Sequence, residues 1–314
     1  MSKIASIDIG TNAVRLLVFE TEPGGGLREI GQERAITRLG EGVGTRKRLL
    51  EHRMQGTLSV LAAFRDRCRE HEPITIRAVA TSAVREADNR DDFLNRVRVE
   101  LGLEIEVIPW EDEARLMIEG VLWRLPDAEK AVLAFDIGGG STEFILARDR
   151  EIAATTGTLL GTVRLTEKFI FHHPIVEKEY WALEEHLRRE LNLIKEELSA
   201  FPFEILVGTA GTVTTLAAIA EGVFPYDPEK IHGRTLSVDR VEKILSDLKG
   251  KSLEERVAMK TMEKGREDLI IAGSALVLEI MRVFECDLLT VSEYGLREGI
   301  ILDAMKRNKS SGTR

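Results

Sequence analysis

The chain opens with Lys3–Ile9, an apolar run broken only by single polar residues, which reads as a buried strand. Residues 14–20 read as a second strand, and the tight Gly10-Thr11-Asn12 turn joins the two. Pro23-Gly24-Gly25-Gly26 breaks the chain in the manner of a hairpin, and residues 27–37 alternate as a third strand. Residues 49–71 carry Met54, Leu58, Leu61, Ala62 and Phe64 at helical spacing. Ile74–Ala80 is again strand-like, and in residues 91–101 Phe93, Leu94 and Val97 mark one face of a helix. A short strand at 105–108 and a helix at 111–125 complete this first series.

The pattern then restarts. Residues 131–137, 142–147 and 151–155 give three strands around two turns, as at the N-terminus. Helices follow at about 159–171 and 176–200, then a strand at 204–207 and a helix from near Gly211. Two more helical stretches are expected before the strand Leu288–Val291, then a helix over 296–306 and a fraying, Ser/Gly-rich end at 309–314. Hairpins followed by strands alternating with helices predict an α/β fold with a mixed sheet in each half. No short repeat is visible, but one long duplication is. Aligning Ile7-Asp8-Ile9-Gly10 with Phe135-Asp136-Ile137-Gly138 also aligns the following strands and sets Arg15 opposite Glu143. The economical reading is two related lobes, 1–125 and 126–295, with a cleft between them.

A length of 314 residues allows two such lobes, each with its own core, and 43% hydrophobic with 31% charged residues is a globular composition. The formal charge of −9 argues against a general nucleic-acid binder. It leaves room for a polyanionic substrate only in a locally basic cleft. Cys68 and Cys286 lie far apart with no metal-type spacing, so they read as thiols in a reducing compartment. The first ten residues are too short an apolar run for a signal sequence, and no stretch reaches membrane-spanning length, so a cytoplasmic protein is expected.

The strongest chemical signal is residues 135–143, Phe-Asp-Ile-Gly-Gly-Gly-Ser-Thr-Glu. Asp136 at the end of a buried strand is poised to bind a cation. Gly138, Gly139 and Gly140, with Ser141, let backbone N–H groups turn toward an anion with no Cβ in the way. The repetition at Asp8, Gly10, Thr11 and Asn12 suggests paired turns clamping phosphate. A third glycine turn, with Gly208, Gly211 and Thr212, follows a strand and opens a helix, a ready anion site. Glu111, Asp112 and Glu113 begin another helix, where acidic residues suit the helix dipole, and Glu113 is close enough in sequence to Arg115 for a surface pair. The six histidines form no ligand set: His172-His173 are adjacent and point apart, and His232-Gly233 reads as a turn. Arg46-Lys47-Arg48 reads as a solvated face. No GxSxG, HExxH or Walker-type loop occurs.

These residues resemble the exopolyphosphatase and guanosine pentaphosphate phosphatase family, a branch of the actin-like, sugar-kinase and heat-shock-chaperone superfamily. The resemblance rests on IDIGTNAVRLLV (7–18), ATSAVREADN (80–89), EDEARLM (111–117) and FDIGGGSTEF (135–144), and continues through VGTAGTVTTLAA (207–218), YDPEKIHG (226–233) and SEYGLREGI (292–300). The segments occur in family order over nearly the whole chain. The resemblance implies two ribonuclease H-like (actin-like ATPase) domains, with a final helix, 296–308, packing back on the first. It implies hydrolysis of a terminal phosphoanhydride of inorganic polyphosphate or guanosine pentaphosphate. Glu113 matches the family's catalytic base; Asp136, Gly138 and Glu143 match its metal and phosphate residues, with Asp8 in the partner turn. Mg²⁺ or another divalent cation on Asp136 and Glu143 would neutralise phosphate oxygens, and Arg15 and Arg85 are candidates for direct phosphate contact. Arg266 and Arg297 are candidates for the same work from the second lobe. Longer relatives carry further helical domains after the GLREG segment, so this chain resembles the short, two-lobed members. No nucleic-acid or membrane partner is implied, and a homodimer is left open. A sugar or acetate-type kinase would share the glycine turns but need an adenine pocket, and a nucleotide-sensing actin-like protein would lack the role of Glu113.

Overall fold

The computed structural model describes residues 2–24 and 26–311, the side chains of 308–311 excepted. Gly25, in the expected hairpin breaker, and 312–314, in the end expected to fray, lie outside the described residues. Two compact units divide the chain, Met1–Gly120 with Leu296–Arg314, and Val121–Gly295.

In the first unit, β1 (Lys3–Ile9), β2 (Ala13–Thr21), β3 (Leu27–Ile36), β4 (Ile74–Ala80) and β5 (Ile105–Val107) form one sheet in the order β3-β2-β1-β4-β5. The first three strands are antiparallel, while β4 and β5 run parallel to β1, so the sheet is mixed. Short helices α1 (Val43–Arg46) and α3 (Ser82–Glu86) accompany α2 (Glu51–Arg69), α4 (Arg90–Arg96) and α5 (Trp110–Trp123). Met54, Leu58, Leu61 and Phe64 of α2, the expected stripe, are buried with Ile7, Val14, Leu16, Ala78 and Ala80 of the sheet. Val79 packs instead with Ile108, Leu116 and Ile300. Successive strand residues point to opposite faces, so the sheet is covered on both, and β1 is therefore buried almost throughout.

The second unit repeats this plan. Its strands β6 (Val132–Ile137), β7 (Thr142–Arg148), β8 (Glu151–Thr158), β9 (Ile205–Thr209), β10 (Thr235–Ser237) and β11 (Leu288–Val291) are ordered β10-β11-β9-β6-β7-β8. Again a three-strand antiparallel meander is extended by parallel strands, with β10 added antiparallel at the edge. Helices α6 (Thr162–Phe169), α7 (Glu177–Leu198), α8 (Ala210–Glu221), α9 (Pro228–Ile231), α10 (Val238–Lys249), α11 (Leu253–Val257) and α12 (Ile270–Val283) flank it. Leu183, Leu187, Leu191 and Ile194 of α7 bury one face against a core containing Phe135, Phe144 and the almost wholly buried α12. The two meanders correspond in detail. Asp8 pairs with Arg15 and Asp136 with Glu143, and the bulge after Val18 in β2 recurs after Leu146 in β7, at the same offset.

Some elements differ from the hydrophobic pattern. The helix expected over 91–101 is α-helical only to Arg96 and finishes as a π-helical turn, Val97–Leu101. The one expected from 159 starts at Thr162, because Gly161 is pressed against the backbone of Gly139 and Gly140. Between α8 and β11, β10 and the short α9 and α11 accompany the two helices expected there; each is too short to show a period. No helix among the described residues is long and apolar enough to cross a membrane.

The last helix, α13 (Leu296–Ser311), runs past its expected end at 306 and packs on β1, β2 and β4. Gly299 lets it cross α5 closely, since a Cβ there would lie 1.7 Å from the Leu116 carbonyl oxygen. Buried Asp303 accepts hydrogen bonds from Arg77 and Arg115, tying the same helix to β4 and α5. Backbone cannot rotate away from an added methyl as a side chain can. Gly299→Ala is therefore expected to destabilise the fold by at least about 2 kcal/mol, read as a lowered denaturant midpoint.

Candidate active site

In the second unit, the chemistry gathers where β6 turns into β7. Gly138 N–H donates to the Ser141 carbonyl oxygen at 3.0 Å and closes the turn. The start of α6 then takes up the turn's carbonyls. Thr162 N–H donates to Gly138, Val163 and Arg164 N–H to Gly139, and Arg164 Nε donates to the Gly140 carbonyl at 2.6 Å. In a trans peptide the N–H points opposite to the preceding carbonyl. With three carbonyls aimed at α6 and Arg164, the N–H groups of Gly139, Gly140 and Ser141 point away together, the arrangement that receives an anion. Gly161 is what permits this approach, as its Cβ would fall 2.2 Å from Gly140 C.

Asp136 and Glu143 stand directly opposite each other on β6 and β7. Glu143 is buried and accepts a hydrogen bond of 2.7 Å from Ser141 Oγ. Among the described residues no three His, Cys, Asp or Glu side chains form a group that could hold a metal by themselves. Two carboxylates beside an anion-receiving turn nonetheless suit a hard cation such as Mg²⁺, which keeps waters and takes substrate phosphate oxygens as its other ligands. Near Asp136 lie Thr209 and Gly295, and the Thr209 hydroxyl donates to the Tyr294 carbonyl at 3.1 Å. Arg266 is buried against Gly211, where a Cβ would sit 1.6 Å from its guanidinium, and is ion-paired with Glu263. Burial pushes Arg266 down to about 10, and Asp136 opposes that fall, so the guanidinium stays charged at neutral pH.

The first unit carries the matching turn. Gly10 N–H donates to Ala13 at 3.0 Å, while the Thr11 carbonyl accepts from Gly40 N–H and the Asn12 carbonyl from Thr37 and Arg38 N–H. A loop after β3 thus plays the part that α6 plays in the second unit. By ladder register Gly40 answers to Val163, whose N–H donates to Gly139 as Gly40 N–H does to Thr11, and Gly40 is one residue that the sequence pattern did not single out. The Asn12 side-chain amide is buried with neither Oδ1 nor Nδ2 hydrogen-bonded among the described residues. Buried polar groups are rarely left so, which makes Asn12 a candidate ligand contact. On β1, β2 and β3, Asp8, Arg15 and Arg34 form one row, and Arg34 is a second residue the sequence pattern did not single out. Burial pushes the Asp8 carboxyl above its ordinary 3.8, and Glu298 adds to the rise, while Arg15 and Arg297 oppose it.

Glu113, on the first turn of α5, is buried, not surface-exposed, and its partner is Arg85 at 2.7 Å rather than Arg115. Arg115 instead meets Asp303 and Glu119, because it lies on another side of α5. Arg85 is held three ways: Nη1 donates to Glu113 and to the Ile108 carbonyl, and its guanidinium lies 4.6 Å from the centre of the Trp110 ring. Its Nε and Nη2 are buried and have no hydrogen-bond partner among the described residues, leaving two donors for an anion.

Other expected residues sit differently. Gly208 lies inside β9, where a Cβ would strike the Phe135 ring at 2.7 Å, so packing accounts for it. Thr212 is buried against Gly273 of α12. Ala210 at this junction has φ 69°, a strained value for alanine and a feature that no spacing argument reveals. Arg297 belongs to the first unit, not the second, and pairs with Glu298.

Two mixed sheets of this topology, each with helices and a phosphate-type hairpin turn, define the actin-like ATPase fold class. The chain belongs to the Ppx/GppA phosphatase family, whose model matches residues 17–308. It is 34% identical to exopolyphosphatase 2 of Mycobacterium tuberculosis, covering 96% of this chain and 98% of that protein. It is 25% identical to the guanosine-5′-triphosphate,3′-diphosphate pyrophosphatase of Photobacterium profundum over 99% of this chain and 61% of that one. The crystal structure of the Aquifex aeolicus family member superposes with a TM-score of 0.83 at 36% identity, covering 98% of each chain.

Because Asp8 gives up hydration on folding, its ionisation opposes the folded state. A raised carboxyl pKa means the folded chain binds the extra proton, so this cost is absent below 3.8 and develops as pH rises through the folded value. Asp8→Asn is expected to raise the denaturation midpoint at pH 7, with the advantage shrinking as pH falls toward 4, while phosphate release is lost.

Proposed function

We propose that this chain hydrolyses a terminal phosphoanhydride, releasing orthophosphate from inorganic polyphosphate or converting guanosine pentaphosphate to the tetraphosphate. The relatives' names supply these two substrates, and both present the same terminal group. The observation that carries the reading is Glu113, a buried carboxylate fixed by an arginine with two nitrogens, Nε and Nη2, still to donate. A kinase has no need of a water-directed base, and a sensor has no need of either.

In the proposed reaction, Glu113 orients a water and accepts its proton as the water oxygen bonds to the terminal phosphorus. The bridging P–O bond breaks, and its electron pair leaves with the shortened chain or nucleotide. Arg85 keeps the Glu113 carboxylate in one orientation and offers Nε and Nη2 to phosphate oxygens. The N–H groups of Gly139, Gly140 and Ser141 take other oxygens, as do Asn12 and Arg15 in the first unit. Glu113 and Arg85 belong to one unit and Asp136 and Glu143 to the other, and the proposal assigns both sets to a single reaction. A divalent cation, Mg²⁺ by the donor set, supplies charge neutralisation when held by Asp136 and Glu143. Little more is required, since phosphoryl transfer to water is largely a matter of position and charge.

Purified protein with Mg²⁺ is to be offered polyphosphate, guanosine pentaphosphate, and ATP with a panel of sugars. Phosphate release is expected from one or both of the first two, with kcat lowered about 100-fold or more in Glu113→Gln. Full activity in that variant would remove the base assignment, and phosphate transfer to a sugar would remove the hydrolase reading. Chelation of divalent cations is expected to abolish release and Mg²⁺ to restore it; persistence in chelator would remove the metal role of Asp136 and Glu143.

A further inference from the structure

The Arg46-Lys47-Arg48 run, expected to be an indifferent solvated face, is tied to the phosphate-type residues of its unit from two sides. On one side, Gly40 N–H donates to the Thr11 carbonyl at 2.9 Å, and Val43 N–H at the start of α1 donates back to Gly40 at 3.1 Å. A Cβ on Gly40 would strike Thr11 at 2.3 Å, so the loop is seated on the turn. On the other side, the Lys47 carbonyl accepts from Asp88 N–H at 2.8 Å, and Lys47 Nζ reaches Glu86, the neighbour of Arg85, at 3.3 Å. Buried Asn89 then clasps Leu49, accepting from its N–H at 2.8 Å and donating to its carbonyl at 3.1 Å.

The backbone of the run is thereby fixed, while the side chains of Arg46, Lys47 and Arg48 remain exposed. Among the described residues neither Arg46 nor Arg48 has an acidic partner, although most arginines of this chain do. With Lys47 paired to Glu86, Arg46 and Arg48 are the two cations of the run that stand on this rigid support without an acidic partner, in a molecule of formal charge −9. Lys47, at φ 53°, is the left-handed cap that ends α1, its N–H donating to the Val43 carbonyl at 2.9 Å.

We propose that Arg46 and Arg48, with Lys47, form a track for the phosphates of a polyphosphate chain that lie beyond the scissile anhydride. The inference rests on the phosphoanhydride hydrolase reading above and deepens it by naming the longer polymer as the favoured substrate class. A repeating polyanion suits such a track because exposed cations bind it by displacing counterions, which needs no shaped pocket. A nucleotide offers phosphates at only two positions and has less to gain from two extra charges.

The test compares full-length wild type with Arg46→Gln/Arg48→Gln on long-chain polyphosphate, tripolyphosphate and guanosine pentaphosphate. Arg28→Gln/Arg69→Gln removes two exposed charges elsewhere in the same unit as a control. For long-chain polyphosphate, KM is expected to rise about three- to tenfold with kcat held, a KM effect absent on tripolyphosphate and absent in the control. The salt dependence of kcat/KM on the long chain should become shallower, by about one in log–log slope. Equal KM values for the long chain in variant and wild type would overturn the proposal. So would an equal rise on tripolyphosphate, or a rise confined to guanosine pentaphosphate. Binding of single-stranded RNA that is lost in the variant, with polyphosphate unaffected, would also overturn it. Calorimetric binding of long-chain polyphosphate to the Glu113→Gln protein, with and without the two arginine changes, reads the track independently of turnover. Failure of all phosphate release in wild type would therefore count against the hydrolase reading alone, and unchanged binding against the track alone.

Discussion

The hydrogen bond that closes each hairpin turn, from Gly10 N–H to Ala13 and from Gly138 N–H to Ser141, sets the register of everything around it. Strand side chains alternate between faces, so a slip of one residue would move Asp8 and Asp136 to the wrong side of their sheets. With the register fixed, each aspartate meets one partner across the ladder, Arg15 in the first unit and Glu143 in the second. The same bond leaves the outer carbonyls of each turn free to be claimed by the segment that follows the third strand. That segment brings Gly40 N–H to Thr11 in one unit and Val163 N–H to Gly139 in the other, and in each a glycine, Gly40 or Gly161, stands where a Cβ would collide with the turn. Once the carbonyls are claimed, the direction of the N–H groups follows from the planarity of the peptide.

A shared frame with different side chains gives the two units different chemistry. The first row reads Asp8, Arg15, Arg34, and the second Asp136, Glu143, Gly157. Arginines on neighbouring strands repel and are not an arrangement that stability alone would favour. Paired carboxylates in the second unit carry the same cost with the opposite sign. In the proposed reaction an anion would meet the first row and a cation the second, each adding a charge of the other sign. Asp8, whose burial opposes its ionisation, shows the same conflict within one residue. Conflicts of this kind concentrate where binding supplies the missing charge.

Much of this was legible in the residues. The duplication, both meanders and the opposition of Arg15 to Glu143 follow from aligning one tetrapeptide with another, because strand period and turn length are local properties. Buried stripes on α2 and α7 were legible for the same reason. What remained hidden depends on contacts distant in sequence. Glu113 and Arg115 are two residues apart, and only packing shows that one turns inward to Arg85 while the other meets Asp303. Gly208 resembles an anion-binding glycine, yet it is glycine because the Phe135 ring occupies the space. Arg266 follows no motif, and its place against Gly211 is set by a loop more than fifty positions further along the chain. The strain at Ala210 has no signature in composition at all.

Arg85 shows why the proposed base needs an arginine rather than any cation. A lysine ammonium could sit beside Glu113, but it has one nitrogen and no plane. The guanidinium uses Nη1 for Glu113 and the Ile108 carbonyl, sits 4.6 Å from the centre of the Trp110 ring, and keeps Nε and Nη2 for another ligand. Because the group is planar and rigid, holding Nη1 by two hydrogen bonds and the guanidinium centre over Trp110 also restricts the direction of the remaining donors. A phosphate bound by those donors would take its orientation from the same group that orients the carboxylate. Base and substrate would then be aligned by one side chain held in advance, with little reorganisation left for the moment of reaction. Trp110, which touches neither water nor phosphate in this scheme, would act through Arg85 as a positioning residue.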